Sequence, residues 1–128
     1  MTMKFEVKPG ISSLIETTVT EADSAVMHAS GNLDVYATPA MIALMENAAK
    51  SCVEHHLPSE YTTVGIEVNV KHFKPTTIGS KVKCEAVLQE VEGNKLFYNV
   101  VAWDENGKIG EGLHVRYIVN SEEFMKKL

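Results

Sequence analysis

The sequence has no apolar run approaching the ~20 residues that a membrane-spanning helix needs. Its opening residues, Met1 to Glu6, lack the apolar core of a secretory signal, so the cytoplasm is the expected compartment. Basic residues are outnumbered, with 12 Lys and Arg against 17 Asp and Glu. The formal net charge of -5 argues against a general nucleic-acid or anionic-membrane surface. There is no glycine-rich phosphate loop and no basic–aromatic stripe. Cysteine is scarce, and Cys52 and Cys84 fall in different patterns without motif spacing, which points to two small buried thiols in a reducing compartment. His55 and His56 beside Cys52 make only a partial ligand set on a helix end, so no metal is expected. Repeats, linkers and low-complexity stretches are missing too. The 128 residues are therefore expected to form one domain with a real core.

What is present is organised around one stretch, Thr38 to about His56. Thr38 reads as an N-cap and Pro39 as the first helical residue, and Ala, Met and Leu supply strong helix formers. Pro58 marks the stop. Asn47, Lys50 and Glu54 share one narrow polar arc at ~100° per residue, and nearly all the rest is apolar, so the helix should be covered on most sides. Glu46 falls on the seam with Ile42, Ala49 and Val53. Periodicity leaves it either a rim carboxylate or a partly buried functional one.

Before the helix, Ile11 to Thr20 is a β-branched run expected to be the first strand. Residues 21–36 have no clean period, and a connection of about sixteen residues is the length of a lid or binding loop. Its Val26, Met27, Leu33, Val35 and Tyr36 need something to cover. After the helix, Thr62 to Pro75 alternates almost ideally, with Ile66, Val68, Val70 and His72 expected on the core-facing side and Gly65 suggesting a bulge or a close backbone approach. Strands near Lys81–Glu90, Lys95–Asp104 and Lys108–Asn120, joined by Gly93-Asn94 and Asp104-Glu105-Asn106-Gly107, predict an antiparallel meander. A short charged tail of one or two helical turns ends the chain. The expected class is α+β, one curved antiparallel sheet wrapped around one long central helix.

That order, with Thr38-Pro39-Ala40-Met41-Ile42-Ala43-Leu44-Met45-Glu46, Gly65, His72 and His114-Val115-Arg116, resembles the fluoroacetyl-CoA thioesterase family of hotdog-fold proteins over roughly residues 10–120. The resemblance implies the hotdog fold, acyl-CoA thioester hydrolysis and a catalytic set of Thr38, Glu46 and His72. It also matches Gly65 and Arg116 to residues of the family, and these, with Tyr36 of the loop, are the expected substrate-binding residues. Tyr36 is the one aromatic between Thr20 and Glu60, so the lid is built mainly of aliphatic residues and Met, which leaves the acyl group open.

The chemistry fits these residue types. A thioester is cleaved when a nucleophile adds to its carbonyl carbon while donors hold the developing oxyanion, and a helix N-terminus offers such donors. Thr38 beside it could attack or orient a water, since a hydroxyl needs an adjacent base to be a good nucleophile. His72, with an unperturbed pKa of about 6.5, is the natural base. Glu46 either orients the imidazole or activates water. Arg116 either binds a carboxylate or phosphate, or makes a surface ion pair. Thr38 and Glu46 are eight residues apart on the helix, about 12 Å of rise, so an antiparallel partner helix is expected to complete the set. A homodimer is therefore expected, and a dimer of dimers is open, with acyl-CoA as substrate and no cofactor beyond that CoA. The alternatives are a non-catalytic acyl-CoA binding protein, or a hotdog enoyl-thioester hydratase, whose usual Asp/His motif is not found here.

Overall fold

The structure is a computed structural model and describes residues 5–128. Residues 1–4, part of the segment read for a secretory signal, lie outside it. Five strands and two helices follow in order: β1 Ser12–Thr18, α1 Thr38–Glu54, β2 Tyr61–His72, β3 Lys81–Glu92, β4 Lys95–Asp104, β5 Gly107–Asn120 and α2 Ser121–Lys126. All neighbouring strands are antiparallel in one sheet of order β1-β3-β4-β5-β2, so the expected meander forms its centre and β2 closes one edge. α1 touches all five strands, as a helix held in the hollow of a curved sheet must.

The core forms where two periodicities meet. Along β3 the alternate residues Val82, Cys84, Ala86 and Leu88 are buried, and along β4 Leu96, Tyr98, Val100 and Ala102 are. They face the apolar stripe of α1, where Met41, Leu44, Met45, Ala48, Ala49, Cys52 and Val53 are buried while Asn47, Lys50 and Glu54 stay outside. Both cysteines are free and buried, and Cys52 Sγ reaches the Ile11 carbonyl at 3.3 Å while His55 and His56 face outward. Among the described residues no helix is long and apolar enough to cross a membrane.

Three expectations need correction. Thr38 is not the cap: Ala37 holds that position with extended backbone (φ -72°, ψ 140°), and no side chain caps the helix. The Thr38 hydroxyl is engaged elsewhere, in a long-range bond described below. Ile66 and Val68 do not reach the core of the protomer and are 51% and 42% exposed. They lie on an edge strand, and the bulge between Gly65 and Glu67 breaks the alternation at Ile66. In the loop before α1, Val26, Met27 and Leu33 also stay exposed, because the loop closes on itself. A 3-10 turn spans Glu21–Asp23, Ser24 pairs with Tyr36, and the Ala25 and Ser30 N–H groups donate to Val35 and Ala25 carbonyls.

Candidate active site

Two clusters lie at opposite ends of the strip between α1 and β2. The first is at the start of α1. Thr38 Oγ1 and His72 Nδ1 are hydrogen-bonded at 2.8 Å. Thr38 is free for this because Ala37 has taken the cap, and His72 because it is the last residue of β2, paired with Gly110. Pro39 has no N–H and the Met41 N–H is bound to the Ala37 carbonyl, so Thr38 and Ala40 carry the unspent donors of the first turn. Burial pushes the His72 imidazole below its usual pKa, with the main chain of Lys74 partly opposing, so the ring is neutral at pH 7 and able to accept a proton. Its Nε2 is buried without a hydrogen-bond partner.

Tyr36 completes this end. Its buried ring meets His72 edge-on with centroids 6.3 Å apart, and its hydroxyl donates to the Ala40 carbonyl at 3.4 Å. With Thr38, His72, Leu33 and Lys74 it lines a cleft of about 370 Å³ beneath the loop. The turn after His72 is pinned by Asp104, which accepts from Thr76 Oγ1 at 2.9 Å and from Lys74 Nζ at 3.3 Å. Burial alone would raise the Asp104 carboxyl, and the hydrogen bonds from Asn106, Thr76 and Lys74 outweigh it and hold it low.

The second cluster centres on Glu46. Its Oε2 lies 3.6 Å from Arg116 Nη1 and 4.0 Å from His114 Nε2. Arg116 is not a surface residue: it is 6% exposed, with Nε donating to Thr63 Oγ1 at 2.8 Å and Nη2 to the Thr63 carbonyl at 2.9 Å. Gly65 stands opposite Arg116 in the β2–β5 ladder, immediately before a register shift at residues 65–67. A Cβ on Gly65 would sit 2.7 Å from Glu46 Oε2, so this glycine supplies both the bulge and the close approach that the sequence suggested. Thr63 and His114 were not among the residues singled out for roles at the site. Thr63 could have been found from its period-2 spacing to Gly65, and His114 from its period-2 spacing to Arg116.

The two clusters do not meet within one protomer. Eight residues of α1 separate Thr38 from Glu46, and seven residues of β2, roughly 20 Å of extended chain, separate His72 from Gly65. Among the described residues no hydrogen bond joins Glu46 to Thr38 or His72.

The same architecture recurs in solved hotdog-fold thioesterases, and this chain is one of that class. It matches a thioesterase-superfamily member from Thermus thermophilus with a TM-score of 0.86, at 25% identity over 94% of this chain and 89% of that one. A variant fluoroacetyl-CoA thioesterase solved with acetyl-CoA is similar at 26% identity and a TM-score of 0.89, over 94% of this chain and 96% of that one. Residues 19–122 match the family described as fluoroacetyl-CoA-specific thioesterase. The fluoroacetyl-CoA thioesterase of Streptantibioticus cattleyicolor is 34% identical over 95 residues, covering 74% of this chain and 68% of that protein. The chain belongs to the fluoroacetyl-CoA-specific thioesterase family, and its chemistry is thioester hydrolysis.

Proposed function

We propose that the protein hydrolyses small to medium acyl thioesters of CoA with Thr38, His72 and Glu46 as its catalytic set, in cytoplasmic homodimers whose sites draw on both protomers. The observation that carries this reading is the 2.8 Å bond between a threonine hydroxyl that caps nothing and a neutral, part-buried imidazole. Beside them, the Thr38 and Ala40 N–H groups are suited to hold the oxygen of the tetrahedral intermediate. His72 takes the proton of the attacking group, and the CoA thiolate leaves and is protonated. If Thr38 attacks, its Oγ1–carbon bond forms as the carbon–sulfur bond breaks, and water then releases the acid. If water attacks directly, Thr38 orients it, Glu46 polarises it and His72 accepts its proton. The second course asks less of a threonine hydroxyl whose base, His72, is held below its usual pKa.

The dimer is supported by the unused edge. β2 is a 12-residue edge strand with Ile66 and Val68 exposed, Val68 standing opposite His114 in the ladder and so on the concave face. Antiparallel pairing of two β2 strands about a two-fold near Val68 and Asn69 would continue the sheet and cover those residues. It would also set His72 of one protomer across from Gly65 of the other, bringing Glu46 toward the partner's Thr38–His72 pair. Arg116 and Gly65 then lie at the site, with Arg116 available to an anionic part of the substrate or to Glu46. The aliphatic loop and the cleft beside Tyr36 suit short acyl groups with modest discrimination, since one methylene in an apolar pocket is worth about 1–3 kcal/mol.

Thiol release from a panel of acyl-CoA esters tests the reading. His72→Ala should lower kcat by roughly 10²–10⁴ on every ester the parent accepts. A parent that turns over only long-chain esters would overturn the substrate class, and a His72→Ala variant at the parent rate would overturn the catalytic set.

A further inference from the structure

One buried imidazole has no part in the scheme above. His114, in β5, is 1% exposed and packed between Tyr98 of β4, whose ring lies 6.3 Å away, the main chain of β2, and the Glu46–Arg116 pair. Its two ring nitrogens face partners of opposite and fixed character. Nδ1 is 2.7 Å from the Glu67 carbonyl, which can only accept, so Nδ1 carries a proton. Nε2 is 3.2 Å from Arg116 Nη1, which can only donate, so Nε2 presents its lone pair. Geometry therefore fixes both charge state and tautomer: neutral, protonated on Nδ1. Burial, the largest influence, lowers the ring's pKa; the Glu67 carbonyl opposes it, Arg116 adds to it, and Glu46 opposes it least.

The consequence reaches Glu46. Three of the five N–H groups of Arg116 go to Thr63 and His114, and Nη1 also faces Glu46 Oε2 at 3.6 Å. Glu46 makes no hydrogen bond of its own among the described residues, so its orientation within the protomer rests on Arg116. We propose that His114 is a positioning residue: locked in one tautomer by the Glu67 carbonyl that the β2 bulge presents, it accepts one Nη1–H of Arg116 and thereby holds the other facing Glu46. This rests on the assignment of Glu46 to the catalytic set. The bulge at residues 65–67 then has two uses, making room for the Glu46 carboxylate at Gly65 and turning the Glu67 carbonyl onto His114.

The test uses the full chain and two readouts. Long-range ¹H–¹⁵N NMR of histidine-labelled protein at pH 7, assigned with His114→Gln, should show His114 neutral with its proton on Nδ1. An imidazolium, or a proton on Nε2, overturns the proposal. In acyl-CoA hydrolysis, His114→Phe should lower kcat about tenfold or more with little change in KM, because it leaves a charged donor without its acceptor. His114→Gln, which keeps one donor and one acceptor, should recover most of that loss. The His114→Phe/Arg116→Ala double variant should be no slower than Arg116→Ala alone, since the two act as one unit. Losses that multiply, or a change in KM only, would mark a merely structural histidine. Should His114→Phe fail to fold, His114→Gln and the parent spectrum decide the matter. A slow Glu46→Gln with His114→Phe at the parent rate rejects the positioning role and leaves the catalytic set standing. Glu46→Gln at the parent rate rejects both.

Discussion

Gly65→Ala separates the site from the fold more cleanly than any change to a reacting group. Gly65 has an ordinary backbone conformation, so alanine is not strained there. What it meets is Glu46 Oε2 at 2.7 Å, with His114 Cε1 at 3.2 Å and Arg116 Nη1 at 3.3 Å. Ordinary contact begins near 3.4 Å, so Oε2 must retreat by about 0.7 Å, while Arg116 is tied to Thr63 and His114 to Glu67. The glutamate is the one neighbour free to give way. A misplacement near 1 Å at a reacting group can cost about 10²-fold, so kcat for acyl-CoA hydrolysis should fall roughly 10- to 100-fold. Stability should change by less than about 1 kcal/mol, since alanine is no worse than glycine in a strand and the displaced atom ends a flexible side chain. Thiol release and urea unfolding measure the two quantities on one preparation. The Gly65→Ala/Glu46→Gln double variant should be no slower than Glu46→Gln alone. A Gly65→Ala enzyme within about threefold of the parent would refute the reasoning, because the Glu46 carboxylate would then not need its observed place.

Further expectations follow from the same geometry. Thr38 caps nothing, so Thr38→Ala should cost well under the ~1 kcal/mol of a lost N-cap in urea unfolding yet lose most activity, while Thr38→Ser keeps the hydroxyl and the rate. The base must be neutral and His72 titrates below its usual 6.5, so kcat/KM should hold through pH 6.5 and fall only at lower pH; an acid limb centred above 6.5 would contradict this. His72 and His114 are both neutral in the fold with lowered pKa values, so stability is complete above about pH 6.5 and is lost as pH falls from there through the folded-state values. His114→Gln should flatten that slope in urea midpoints taken between pH 7 and pH 5, and an unchanged slope would argue against a neutral buried His114.

The parts of the molecule legible in the sequence are those set by local periodicity. The apolar stripe and polar arc of α1, the alternation of β2 to β5 and the two hairpin turns each lie within a dozen residues of themselves. The glycine at 65 was legible because a lone glycine in a strong alternation has few uses. What stayed hidden depends on distant partners. Thr38 looks like a cap in its own neighbourhood, and only His72, 34 residues on, shows otherwise. Arg116 reads equally as a ligand for a carboxylate or phosphate or as a surface ion pair, and only the pairing of β2 with β5 shows it buried against Thr63. Ile66 and Val68 show the same limit from the other side: alternation tells which face a residue is on, not what covers that face at a sheet edge.

The central claim is that each site joins the Thr38–His72 pair of one protomer to Glu46 of the other. Mixing two inactive variants, His72→Ala and Glu46→Gln, after reversible dissociation tests it directly. In a heterodimer with shared sites, one site carries both defects and the other carries neither. With random reassortment of two-fold dimers half the molecules are mixed, so about a quarter of the parent acyl-CoA hydrolysis should return. If each site were built within one protomer, every site would carry one defect, and mixing would restore nothing.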